Sequence, residues 1–171
     1  TDKTVNELVK ACFDMGEVKT GALIVIEQNI RLSEYERTGI NVDAVLTSQL
    51  LINIFEHNTP LHDGAVLVRG NRIVAATCYL PLSDNMELSK QLGTRHRAGV
   101  GISEVSDSLT IIVSEETGQV SVAENGKLSR GLTSAELRSA LIRAQNKKVV
   151  NNSKLRHLLK GRMKHEEEKT N

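Results

Sequence analysis

Apolar positions along this chain change their period several times, and each change predicts a different element. Val5, Leu8, Val9 and Cys12 recur at helical spacing, which predicts an amphipathic helix ending near Gly16. "GALIVIEQ" is a continuous apolar run rich in β-branched residues, the mark of a strand buried on both faces. The polar "RLSEYERTGI" reads as a connection. "NVDAVLTSQLLINIF" returns to helical spacing and predicts a second helix, with Asn41 as N-cap and Asp43 in the first turn. It must stop by Thr59, because Pro60 disfavours helical backbone in the residue before it.

Two β-type runs, "GAVLV" and "RIVAATCYL", flank Arg69-Gly70-Asn71-Arg72 and predict a hairpin. "DNMELSKQLGTRHRAGVGISEVSD" reads as a mostly helical stretch interrupted by glycines. "SLTIIVSEETGQVSVAENGKL" holds two more strands joined by "EETG", with a tight turn at Asn125-Gly126. In "TSAELRSALIRAQN", Thr133 and Glu136 have capping-box spacing, so a helix closes the core. Helices mixed with hairpins exclude a purely parallel sheet. The expected class is α/β of the α+β kind, a central mixed twisted sheet flanked by helices. One domain is expected over residues 1–150, followed by a charged tail over 151–171. Leu155, Leu158 and Leu159 give that tail one apolar face, so it reads either as a solvated terminus or as a short basic helix meeting a surface.

Composition narrows the function more by exclusion than by assertion. Lys+Arg of 22 against Asp+Glu of 21 leaves no global field to draw in nucleic acid. Aromatics at 2% with no Trp argue against a stacking platform for single strands. Cys12 and Cys78 are too few for a disulfide framework and lack zinc-knuckle spacing, so buried thiols in a reducing cytoplasm are expected. No apolar run nears the roughly 18 residues of a membrane span, and no signal peptide is visible. A chain opening at Thr1 without methionine is expected to be a soluble fragment of a longer protein.

Three clusters could carry chemistry. His62-Asp63-Gly64-Ala65 puts two ionisable groups at a strand entrance. There Asp63 could hold a divalent metal or take a proton from a hydroxyl, with Gly64 admitting a ligand close to the backbone. "GTRHRAGVGISE" aligns Arg95, His96 and Arg97 behind Thr94, and arginine forks match phosphate oxygens. Consecutive helical residues fan out, so all three cannot face one phosphate equally. "VSEETG" leaves Ser114, Glu115 and Glu116 at the end of an apolar strand. Each cluster alone is an ordinary turn as readily as a site.

Together, and in this order, they carry a resemblance. "LHDGAVLV", "YLPLS", "GTRHRA", "GISEVSDSLTIIVSEETG" and "NGKL" resemble the catalytic domain of diadenylate cyclases, particularly the membrane-anchored type of Gram-positive bacteria. The resemblance runs from "GALIVIE" through "LTSAELRSAL". One departure is Gly99, where the family continues with alanines after RHRA; in a helix interior Gly costs about 1 kcal/mol relative to Ala.

The resemblance implies an enzyme that joins two ATP molecules into cyclic di-AMP and releases two pyrophosphates, in a homodimer whose facing protomers each hold one nucleotide. It implies catalytic roles for Asp63, Arg95, His96 and Arg97, with Asp63 at the attacking 3′-hydroxyl. Gly64, Ala65, Tyr79, Leu80, Thr94 and Ser114 would contact substrate, Tyr79 and Leu80 at the adenine. His62, Asp63 and Glu116 would be metal ligands. The imidazole among them favours manganese or cobalt over magnesium. A cytoplasmic catalytic domain is expected, with a membrane anchor and regulatory protein partners in the full-length protein and no nucleic-acid partner. Two rival readings use the same residues: a metal-dependent nucleotide phosphohydrolase and a non-catalytic ATP-binding sensor.

Overall fold

Strand runs that are apolar at every position need cover on both faces, and the arrangement of elements supplies it. The computed structural model describes residues 2–147 and Ser153. Its elements are α1 (Asp2–Glu17), β1 (Ala22–Ile26), α2 (Ser33–Glu36), β2 (Ile40–Val45), α3 (Ser48–Phe55), β3 (Ala65–Arg69), β4 (Arg72–Cys78), α4 (Thr94–Val105), β5 (Leu109–Val113), β6 (Val120–Glu124) and β7 (Lys127–Ser129). A further helix, α5, covers 134–147. The strands form one sheet in the order β2-β4-β3-β1-β5-β6-β7. Only β1 and β3 pair in parallel; every other neighbour is antiparallel. The mixed sheet expected from the pattern is the one observed.

Alternate side chains of the central strands divide between two cores. Ile24, Val66, Val68 and Ile111 face a core closed by α1, α3 and α5 through Leu8, Cys12, Leu51, Phe55, Leu137 and Leu141. Leu23, Val25, Leu67 and Ile112 face the opposite core, closed by Val100 and Ile102 of α4 and by Leu32. Truncating any of these buried Leu or Ile side chains to Ala would cost about 2–5 kcal/mol. Both cysteines are buried. Burial pushes the Cys12 thiol up to about 12.

The hairpins fall where the turn residues put them. Glu124 pairs with Lys127 across Asn125-Gly126, whose φ values of 52° and 73° suit the Asn-Gly turn. The capping box of α5 is reciprocal: Glu136 N–H donates to Thr133 Oγ1 at 3.2 Å, and Thr133 N–H donates to Glu136 Oε2 at 2.7 Å.

Two expectations need correction. Residues 40–45 form a strand, not the start of a helix; Asn41 pairs with Ala75 and Asp43 sits in a bulge at φ 45°. The helix starts one element later, where Thr47 Oγ1 accepts Leu50 N–H at 3.1 Å. The apolar spacing ran on through a boundary that only the Thr47 cap marks. The second correction concerns "DNMELSKQLGTRHRAGVGISEVSD": residues 84–93 are irregular loop with short turns, and α4 begins at Thr94 and passes unbroken through Gly99 and Gly101. Both glycines are steric. A Cβ on Gly99 would stand 2.8 Å from Ile112 Cδ1, and one on Gly101 would meet the Pro81 carbonyl. Close approach of α4 to β5 and to the loop after β4 therefore offsets the helix cost of Gly99. "RLSEYERTGI" is a connection that includes the single turn α2. The tail reading, apart from Ser153, lies outside the described residues.

Candidate active site

The close packing of α4 onto the sheet leaves a cavity of about 710 Å³ at one sheet end. The termini of β1, β3, β4 and β5 meet the start of α4 there, and pockets of this size take one nucleotide-sized ligand. Asp63, Gly64, Tyr79, Leu80, Thr94, Arg95, His96, Ser114 and Glu116, each singled out in the sequence, line it. His62, Ala65 and Arg97 do not.

Asp63 is exposed, and its Oδ1 accepts the N–H of Gly64 at 3.0 Å. Gly64 has φ 83°, and a Cβ there would come 3.0 Å from the Cys78 carbonyl oxygen. The backbone that approaches Gly64 so closely is thus the end of β4, which turns Asp63 toward the cavity. Ala65 sits one residue behind, buried against the core and paired with Cys78. His62 Nδ1 lies 2.7 Å from the Thr59 carbonyl oxygen. A carbonyl only accepts, so Nδ1 is the donor here, and in the neutral ring the lone pair then lies on Nε2.

On the opposite wall, Gly93 caps α4 without a side-chain bond, which leaves the first-turn N–H groups open to an anion. Thr94, Arg95 and His96 follow in that turn. Arg97 turns away, and its carbonyl accepts Ser83 N–H at 3.0 Å, tying α4 to the loop that carries Leu80. Arg95 Nη1 is 3.1 Å from Glu115 Oε2. His96 is buried; burial first, then the charges of Arg130 and Arg95, hold its pKa below the usual histidine value against the opposing pull of Glu116. The basic run is therefore two guanidiniums and an imidazole biased toward neutrality.

Ser114 Oγ accepts the N–H groups of Glu116 and Thr117, each at 3.2 Å, and so shapes the acidic turn it introduces. Tyr79 and Leu80 follow the end of β4. The Tyr79 side chain is exposed, and its N–H donates to Thr38 Oγ1 at 2.8 Å. Cys78 lines the cavity too, but burial, with the charge of Glu36, pushes its thiol up to about 11, which disfavours the thiolate. One charged residue of the cavity was missed in the sequence: Arg130, which follows β7. Glu115 was noted beside Glu116 in the third cluster but given no role, and it partners Arg95. Nothing in the sequence around Arg130 marks it.

Among the described residues, no three His, Cys, Asp or Glu side chains gather closely enough to hold a metal ion. Also among them, no helix is long and apolar enough to cross a membrane.

Comparison with known proteins gives this geometry a context. A family model described as DisA bacterial checkpoint controller nucleotide-binding matches residues 9–128. The cyclic di-AMP synthase CdaA of Bacillus subtilis is 58% identical over 139 residues, and a diadenylate cyclase of Listeria monocytogenes is 50% identical over 139. Each match covers 81% of this chain and 51% of the relative, so the chain spans about half the length of these curated relatives. A crystal structure of a double-cysteine mutant of DacA from Staphylococcus aureus superposes with a TM-score of 0.82 at 48% identity, covering 84% of this chain and 95% of that one. A hypothetical membrane spanning protein from Bacillus cereus superposes at 0.73 with 47% identity, covering 75% of this chain and 63% of its own.

Proposed function

The chain belongs to the family of DisA-type nucleotide-binding domains, and from that premise we propose that it is a diadenylate cyclase, condensing two ATP into cyclic di-AMP and two pyrophosphates. The observation that carries this reading is the juxtaposition in one cavity of Asp63 with the start of α4 and Thr94, Arg95 and His96. A carboxylate suited to a hydroxyl proton thus faces a wall suited to phosphate oxygens.

Each bond-forming step joins a ribose 3′-oxygen to the α-phosphorus of the other nucleotide and breaks the bond to pyrophosphate. Asp63 stands where the 3′-hydroxyl proton is drawn off. The open N–H groups of α4, with Arg95, stabilise charge on the departing pyrophosphate. His96, biased toward neutrality, serves as a hydrogen-bonding group. Tyr79 and Leu80 offer an exposed aromatic and an aliphatic surface to adenine.

The cavity takes one nucleotide, and a ring of two needs a second. We take that second nucleotide to be held by another copy of the chain, since a two-fold product is made most simply by a two-fold catalyst. The donor chemistry suits a divalent ion such as manganese or cobalt: with Nδ1 turned to a carbonyl, a neutral His62 would offer Nε2, and Asp63 and Glu116 are carboxylates on the cavity wall. These three do not converge within one chain, so phosphate oxygens would complete the shell. When bound, such an ion neutralises phosphate charge. The solved structure described as membrane spanning supports a longer protein anchored in the membrane. A cytoplasmic placement of this domain, with regulatory partners, is part of the same proposal and rests on the family resemblance alone.

Purified chain incubated with ATP and manganese, with products resolved by chromatography, tests the reading. Cyclic di-AMP with pyrophosphate supports it. Inorganic phosphate or AMP would make the chain a phosphohydrolase, and binding without turnover a sensor.

A further inference from the structure

Arg130 enters the cavity from outside every motif that carries the family resemblance. It follows β7, two positions past the end of the family match at residue 128, yet lines the same cavity as Asp63, Thr94 and Arg95. The backbone on either side is held in place. Ser129 pairs with Val122 across β6 and β7, and Leu132 N–H donates to the Val120 carbonyl at 2.8 Å. The sheet thus sets where Arg130 starts, and its exposed side chain is left to reach.

The cavity's charges then distinguish its two arginines. Arg95 is occupied by Glu115 at 3.1 Å. Among the described residues, no carboxylate lies within ion-pair distance of Arg130. Arg130 lines the cavity together with Thr94, Arg95 and His96 of the first turn of α4. Its charge is, after burial, the next cause that holds the His96 pKa down, ahead of Arg95. The open N–H groups of that turn and an unpaired guanidinium flank the same space. Asp63, Glu115 and Glu116 also line the cavity, and they make it unattractive to an anion unless such a cation is present.

We propose that Arg130 is a second phosphate-binding arginine, which receives the polyphosphate of the incoming nucleotide beside the start of α4. The proposal rests on the nucleotide reading above and adds to it a selectivity for nucleotides bearing more than one phosphate. Arginine suits the task because its fork meets two phosphate oxygens at once and stays charged at every working pH.

Calorimetric titration of ATP, AMP and pyrophosphate into the wild-type chain, Arg130→Gln and Arg130→Lys tests it. Loss of one charge-assisted contact should weaken ATP and pyrophosphate binding about tenfold in Arg130→Gln. AMP binding should stay within about twofold, and Arg130→Lys should recover part of the loss. An upward move of the His96 titration in Arg130→Gln, read by NMR, would show that the variant is folded and that the guanidinium had stood beside the imidazole. ATP affinity unchanged in Arg130→Gln overturns the proposal, as does an equal loss for AMP. A changed oligomer mass with unchanged ATP affinity overturns it too, because the arginine would then serve a contact between copies. Failure of the wild-type chain to bind ATP would instead remove the nucleotide reading itself.

Discussion

The guanidinium of Arg95 packs against the backbone at Gly21, where a Cβ would stand 2.5 Å from Nη1 and 2.6 Å from Cζ. A residue just ahead of β1 is therefore the seat of a cation that faces the cavity from α4. Gly21→Ala should push the guanidinium aside. The group it displaces is the end of a flexible side chain, so unfolding free energy should change by less than about 1 kcal/mol. ATP affinity should fall about fivefold or more. Denaturant unfolding beside calorimetry checks both. A normal affinity would mean that Arg95 binds phosphate from another position.

Far from the cavity, Glu27 is buried and takes two hydrogen bonds from Arg69, at 2.7 and 3.0 Å, and one from Leu32 N–H at 3.0 Å. Burial alone would raise its pKa, but the Arg69 bonds, Leu32 and Arg31 outweigh burial and hold it below the ordinary 4.5. Because the folded value is the lower one, this contribution is complete above about pH 4.5 and is lost as pH falls through the folded value. Arg69→Met leaves Glu27 buried without its main partner and should cost about 3 kcal/mol at neutral pH. That loss should shrink as pH falls through the folded value, because protonated Glu27 no longer needs the guanidinium. Denaturant unfolding across pH checks it, and a loss as large in acid as at neutral pH would contradict this assignment.

His96 should titrate below the ordinary histidine value of 6.5 in the free protein, since burial and then two arginines disfavour its cation. Bound triphosphate supplies the opposite charge, so its midpoint should rise on addition of ATP. Imidazole resonances followed across pH, with and without nucleotide, give the answer directly. A midpoint unmoved by ATP would place the phosphates elsewhere.

Asp63→Asn keeps size and hydrogen bonding but removes the carboxylate. It should abolish cyclic di-AMP formation and leave ATP affinity within about threefold, because the phosphate-facing groups remain. Activity assayed beside calorimetry separates the two effects. A cyclising Asp63→Asn enzyme would overturn the role given to this residue.

The sheet could be read from the sequence because its central strands, such as Ala22–Ile26 and Leu109–Val113, are apolar at every position but Thr110. Tight turns such as Asn125-Gly126 announce their own geometry. At β2 the reading failed, since an edge strand of mixed exposure left a spacing that a helix would also have produced. Gly99 was legible as a departure but not as a necessity, because its reason is Ile112 of another element. The same holds in the site. Asp63, Thr94 and Arg95 lie in motifs, whereas Gly21 and Arg130 gain their meaning from three-dimensional neighbours that no local pattern encodes.

One chain contributes half of a reaction site on this account, so the most direct measurement is the rate of cyclic di-AMP release per protomer across a dilution series, with mass determined at each step. The rate should climb as monomers pair and level off once pairing is complete. A dimer of confirmed mass, supplied with ATP and manganese, that releases no cyclic di-AMP would contradict the account. So would a per-protomer rate that stays constant down to dilutions where the chain is monomeric.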